Sequence, residues 1–185
     1  GEPGEGFPFP WAVRRWVPGE SFAPMALGSD ALAADVAGFL RALHRISAAD
    51  GPPAGERTHH RGAHPRVYAA QVTAAIASLG SAIDADAAEA IWSDAIATAW
   101  DAPPVWVHGD LAATNLLGDG GRLVGVIDFG QLGVGDPACD LVLAWTGLDA
   151  SGRRVLRDEV GLDEGTWRRA RGWALWKALI TLADP

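Results

Sequence analysis

The sequence has one cysteine, one lysine and no long apolar run. A single thiol closes no disulfide within the chain, so the fold is expected to rest on its core and the setting to be a reducing one, the cytoplasm. No stretch approaches the ~20 apolar residues of a membrane-spanning helix, and no signal peptide is visible, so a membrane is not an expected partner. Basic residues are few, 15 Lys and Arg against 23 Asp and Glu, for a formal net charge of −8. Without a basic stripe, nucleic acid is not an expected partner either. An acidic surface suits a cationic small molecule, but it suits many soluble proteins equally well. His59, His60 and His64 lack cysteine partners and match no zinc spacing, so their segment reads as a solvated loop. There is no internal repeat or low-complexity tract, and nothing in the pattern specifies an oligomeric state. What remains is 185 residues, 49% of them hydrophobic, enough for one domain with a real core.

The chain is organised around Val105 to Leu143, VWVHGDLAATNLLGDGGRLVGVIDFGQLGVGDPACDLVL. Val105-Trp106-Val107 reads as a buried strand. Leu116-Leu117 and Leu123 to Ile127 read as a hairpin, with turn chemistry supplied by Gly118-Asp119-Gly120-Gly121. Strand, loop and hairpin are expected to bring Asp110, Asn115 and Asp128 to one end of a small sheet. Those residue types have a joint chemistry. Mg²⁺ takes few protein ligands, all oxygens, and Asn115 and Asp128 offer one neutral and one charged. A hydroxyl attacking a γ-phosphate must lose its proton, and Asp110 can accept it. The order His-Gly-Asp-Leu-x-x-x-Asn followed by Ile-Asp-Phe-Gly has the layout of kinase catalytic and metal-binding loops. Taken singly, each of the three is better read as a turn or cap residue; the set in this order is not.

Elsewhere the pattern is mostly helical. Gly1 to Pro10 is a loop, Trp11 to Val17 a strand, and Pro18-Gly19 ends it. A helix capped by Ser29 or Asp30 runs to about Ile46 with Leu32, Val36, Phe39, Leu40 and Leu43 on one face, and His44 beside it. A second spans Val67 to Leu79, with Val67, Ala70, Ala74 and Ala77 available for packing. A third opens at Asp84 or Asp86 and ends before Asp101, with Trp92 and Trp100 at its ends. Pro137 to Trp145 is a helix with proline in its first turn and Asp136 as cap. Within it Asp140 is a carboxylate among apolar residues, which needs hydrogen-bond partners, and Cys139 a small core residue. Ser151 to Val160 is helical. Thr166 is placed to cap a last helix whose packing face holds Trp167, Ala170, Arg171, Ala174, Leu175, Ala178 and Leu182.

VHGDLAATNLL, VIDFGQLGVGDPACDL and PFPWAVRRWVPGE together resemble the aminoglycoside phosphotransferase family, the small-molecule branch of the kinase-like fold. The resemblance extends to LRALHRI and RGWALWKALITLA, and so over most of the chain. It implies an α/β fold of the α+β kind, a kinase-like, mostly helical C-terminal lobe with a small catalytic hairpin. Residues 1–20 would be the remnant of an N-terminal lobe and hinge, and residues 21–185 the helical lobe. The phosphate-covering loop and its lysine are absent before Trp11, and the only lysine is Lys177. The resemblance therefore implies a piece of a longer enzyme, inactive or nearly so by itself. It implies ATP or GTP as donor, with Mg²⁺ held by Asn115 and Asp128 and Asp110 as catalytic base or orienter. Arg15, Trp16 and Val17 would face the adenine through their backbone, over a floor of Leu117 and Ile127. Asp140 would accept hydrogen bonds from the catalytic-loop backbone, and His44 would be structural. Gly109 stands where protein kinases carry an arginine that receives an activation-loop phosphate, and Gln131 to Gly135 is too short for such a loop. The acceptor would be a small molecule, cationic and of aminoglycoside type first, with its pocket around Asp50 to Asp101 and Asp149 to Trp176. Choline, homoserine or a sugar amine are the metabolic alternatives, and a non-catalytic binding fragment the alternative outside enzymes.

Overall fold

The computed structural model describes residues 1–22 and 30–183; Ser29, one of the two candidate caps of the first helix, lies outside them. In chain order the elements are β1 (Glu20–Ser21), α1 (Asp30–His44), α2 (Ala69–Leu79), α3 (Ala85–Ile96), β2 (Val105–Val107), β3 (Leu116–Asp119), β4 (Arg122–Val126), β5 (Gly133–Gly135), α4 (Leu143–Thr146), α5 (Ala150–Val160) and α6 (Glu164–Ala183). The 20-residue α6 is the spine, packed against α2, α3 and the segment Pro137–Val142, while α1 packs on α5. Trp167, Ala170, Trp173, Ala174, Trp176 and Leu179 of α6 are buried, whereas Arg171, Ala178 and Leu182, expected on the same face, are exposed. Its cap is Asp163, whose carboxylate accepts from the Thr166 N–H at 2.9 Å and the Thr166 hydroxyl at 2.8 Å. Thr166, expected as the cap, is the third helical residue and is buried.

Two further expectations shift. α2 buries Val72, Ala75 and Ile76, not Val67, Ala70, Ala74 and Ala77. In an alanine-rich helix the few large side chains choose the face, because each buried methylene is worth roughly 0.8 kcal/mol and alanine has none to contribute. Trp92 lies in the core between α3 and α6 rather than at a helix end.

The strands form two sheets. β3 and β4 make an antiparallel hairpin, with β1 added on the outer edge of β3. Gly120 and Gly121, with φ of 54° and 78°, form the two-residue turn with positive φ at both positions that matches strand twist. β2 does not join this sheet. It pairs with β5, Trp106 opposite Val134. Gly-Val-Gly is a poor strand by composition, and only the adjacent edge of β2 makes it one. Trp11 to Val17 is not a strand either. Val13 is 86% exposed and Trp16 84% exposed, and no described strand pairs with them; without a ladder, strand-forming side chains fix nothing. Arg122 at the start of β4 grips Asp35 of α1 with two hydrogen bonds of 2.7 and 2.6 Å, and the Leu123 N–H adds a third to the same carboxylate. The Arg122 guanidinium holds the Asp35 carboxyl below its usual range. The hairpin is thereby tied to the helical body.

Candidate active site

The loop after β2 is fixed from below. Asp140, fully buried, accepts from the His108 N–H at 2.7 Å and the Gly109 N–H at 2.8 Å, one on each oxygen. Burial pushes its carboxyl up, and the two backbone donors pull the other way. This carboxylate is the buried acceptor that the sequence pattern required. Asp136 caps the Pro137–Val142 turn through the Ala138 N–H. It is held in turn by the fully buried Arg169, whose Nε donates at 2.6 Å. Burial raises the Asp136 carboxyl and Arg169 opposes it.

His108 links this loop to the next one. Its Nδ1 receives the Asp110 N–H at 3.2 Å and its Nε2 lies 3.0 Å from the Ile127 carbonyl. A backbone N–H only donates and a carbonyl only accepts, so Nε2 carries the hydrogen. One buried imidazole thus sets the spacing between Asp110 and the residue preceding Asp128. Phe129 packs on that imidazole, ring centroids 4.6 Å apart.

Asp110 and Asn115 are in contact. The Asn115 amide nitrogen donates to the Asp110 carbonyl at 2.8 Å and lies 3.4 Å from Asp110 Oδ2. With the nitrogen so used, the amide oxygen is the atom left to face a cation. The Asn115 carbonyl accepts from the Ile127 N–H at 2.9 Å. Asp128 follows, exposed, with φ of 62°. Its side chain accepts from the Gly130 N–H at 3.3 Å, a local bond that suits aspartate in the left-handed region. Among the described residues no three His, Cys, Asp or Glu side chains converge on one point. An amide oxygen and a carboxylate are the kind of oxygen donors that Mg²⁺ takes when phosphate oxygens complete its shell.

Two cavities flank this centre. One, of about 500 Å³, is lined by Arg14, Arg15, Val17, Ile127, Asp128 and Phe129 among others. Arg15, Val17 and Ile127 therefore come together beside Asp128. Trp16, exposed, is not in that lining, and Leu117 lies buried in β3. A Cβ placed on Gly125 would meet Val17 Cγ1 at 3.0 Å and Leu117 Cδ1 at 3.6 Å, so Leu117 and Val17 share one apolar surface. The other cavity, lined by Asp110 itself, is about 20 Å³ and is walled by α6. There Lys177 Nζ stands 3.7 Å from Asp110 Oδ1. Sequence reasoning noted Lys177 only as the chain's single lysine. Its place opposite Asp110 is set by the rotation of α6, which no local pattern reports. Arg169, on the same helix, was missed for the same reason; His108 was read only as part of the His-Gly-Asp motif, and its contact with the Ile127 carbonyl is a tertiary one that no local pattern reports.

A lobe of helices carrying a catalytic-loop Asp and Asn, an Asp-Phe-Gly turn on a hairpin and a buried carboxylate beneath them is kinase-like. The family model "Phosphotransferase enzyme family" matches residues 1–173, and the chain belongs to that family. A 44-residue stretch, 24% of this chain and 16% of the relative, is 43% identical to an aminoglycoside 3'-phosphotransferase of Escherichia coli. The fold is similar to that of ADP-bound aminoglycoside phosphotransferase APH(2'')-Ib, with a TM-score of 0.56, 21% identity, and coverage of 92% of this chain and 64% of that one. It is also similar to macrolide 2'-phosphotransferase MphH of Brachybacterium faecium, with a TM-score of 0.59, 19% identity and coverage of 88% and 58%. The chain thus spans under two thirds of the length of these relatives. Among the described residues no helix is long and apolar enough to cross a membrane.

Proposed function

We propose that the protein carrying this chain is an ATP-dependent O-phosphotransferase acting on a hydroxyl of a small molecule, and that residues 21–185 form its acceptor-binding and catalytic lobe, with residues 1–20 the end of the nucleotide lobe and hinge. The observation that carries the reading is the contact between Asp110 and Asn115 on a loop held by Asp140 and coupled through His108 to the Asp128 turn. Asp110 accepts or orients the hydroxyl proton of the acceptor. Asn115 Oδ1 and the Asp128 carboxylate would hold Mg²⁺, which when bound would supply positive charge against the transferring phosphate. Arg15 and Val17 line the nucleotide side, near Leu117 and Ile127, and the similar fold of the streptomycin–ATP–APH(2'')-IIa ternary complex supports ATP as the donor.

The acceptor class proposed is a cationic, hydroxyl-rich small molecule of aminoglycoside type, in keeping with the net charge of −8 and with the aminoglycoside enzymes among the relatives. The test is made in the full-length enzyme. Asp110→Ala is expected to lower kcat about 100-fold or more while leaving the nucleotide Kd unchanged, and Asp128→Ala to weaken Mg-nucleotide binding and turnover together. An Asp110→Ala enzyme that keeps most of its kcat refutes the assignment. A panel of aminoglycosides, macrolides, choline and homoserine decides the acceptor, and preference for a neutral or anionic one overturns the cationic class.

A further inference from the structure

The cavity of about 20 Å³ against Asp110 has room for one water or one hydroxyl, not for a sugar ring. Its wall combines Asp110 with Arg61, Cys139, Trp173, Trp176 and Lys177, so that one carboxylate meets two cations. Several carboxylates of the two segments expected to form the acceptor pocket are engaged elsewhere. Asp94 pairs with Arg168, Glu159 with Arg41, Glu164 with Arg157, and Asp163 caps α6. Arg61 is held in place, its Nε donating to Gln131 Oε1 at 3.2 Å and its guanidinium lying over Trp173 and Trp176 at 5.1 and 4.7 Å. Lys177 is different. It sits on a flexible four-carbon stem with its side chain 41% exposed, and its ammonium is ion-paired to Asp110 Oδ1. Asp110 Oδ2 faces Asn115. A hydroxyl arriving at Asp110 therefore meets a carboxylate with Asn115 beside Oδ2 and the Lys177 ammonium beside Oδ1.

We propose that Lys177 is a specificity-determining residue: its ammonium flanks the reacting hydroxyl of the acceptor at Asp110, so the site takes hydroxyls whose immediate neighbours are neutral or anionic and holds any ammonium groups of the acceptor farther out. This rests on the phosphotransferase reading and refines it. A second ammonium beside the reacting hydroxyl would face Lys177 across a few ångströms, and a like charge that close is disfavoured. An acceptor of net positive charge remains compatible, provided its amines lie away from the attacked position.

Two measurements test the role. The first needs no turnover. The chain has one lysine, so reductive ¹³C-methylation gives one side-chain signal besides the terminal amine. That signal is expected to shift on Asp110→Asn, and a signal that stays in place overturns the pairing and the proposal. The second uses the full-length enzyme and two acceptors differing only in an amino or a hydroxyl group next to the reacting hydroxyl. Lys177→Gln is expected to raise kcat/KM for the amino compound relative to its partner by about tenfold or more, the scale of a close like-charge contact removed. Lys177→Arg, which keeps the charge, is expected to preserve the wild-type ratio. An unchanged ratio in Lys177→Gln overturns the specificity role and leaves the phosphotransferase reading standing. Absence of phosphate transfer by the wild type to every acceptor in the panel defeats that reading, and the specificity role with it.

Discussion

Gly109 has φ of 84°, and a Cβ there would lie 2.5 Å from the Gln131 carbonyl oxygen and 3.0 Å from Arg61 Cβ. The residue is thus more than a position lacking the protein-kinase arginine. The chain after Asp-Phe-Gly passes so close to the catalytic loop that no side chain fits. Gly109→Ala is expected to cost about 2–4 kcal/mol, from left-handed strain together with overlap against backbone that cannot yield, read as a lowered urea midpoint. A midpoint within error of wild type would mean the two loops separate easily. Asp140 fails differently. Asp140→Ala leaves the His108 and Gly109 donors buried and unpaired, at a cost of about 1–3 kcal/mol, with loss of activity through a loosened Asp110. A variant with wild-type melting would show that water replaces the carboxylate without penalty.

At the scale of elements, legibility depended on how local the deciding force was. The β3–β4 turn, the Asp136 cap and Asp84 as one of two candidate caps were readable, because each is settled within about five residues, whereas the helix expected over Pro137 to Trp145 is a tighter 3-10 turn over Pro137–Val142 that becomes α-helical only at Leu143–Thr146. Asp140 was readable as a buried carboxylate in need of donors, though only the resemblance said which donors. β5 was not readable, since Gly133–Gly135 becomes a strand solely by lying against β2. The face of α2 was misjudged because spacing among alanines carries almost no energy. Ile76→Ala is expected to destabilise by about 2–4 kcal/mol, whereas Ala74→Gln, on the exposed side, is expected to stay within about 0.5 kcal/mol. Equal effects in thermal melts would place the packing face elsewhere. The same limit hid the site's second half. Lys177 reaches Asp110 because α6 presents Trp173, Trp176 and Lys177 toward Arg61 and the catalytic loop, with Tyr68 stacked on Trp176 at 4.2 Å, and that rotation is fixed by the whole helical body.

For the molecule as a whole, acid stability is a contest between groups of opposite sign, and His44 tilts it. At the C-terminal end of α1, the helix dipole favours a charged imidazole by roughly 0.3–1 kcal/mol. Burial wins instead, lowering the His44 pKa from 6.5 to about 4, and its buried Nε2 has no hydrogen-bond partner among the described residues. The folded state therefore binds fewer protons at His44 than the unfolded chain does between those two values. The stabilising contribution is complete above pH 6.5 and is lost as the pH falls toward 4. At about 1.4 kcal/mol per pH unit the full loss would be about 3 kcal/mol, and about 2 once the partly open site is allowed its solvent screening. Asp136 and Asp140, raised by burial, work the other way, since they take up protons more readily in the folded state than in the unfolded one. The raw pH profile therefore mixes the signs, and a subtraction separates them. Urea midpoints for wild type and His44→Leu between pH 7 and pH 4.5 should show the wild type losing more stability than the variant, by about 1–2 kcal/mol across that window. Parallel profiles would mean that His44 takes up its proton without opposing the fold.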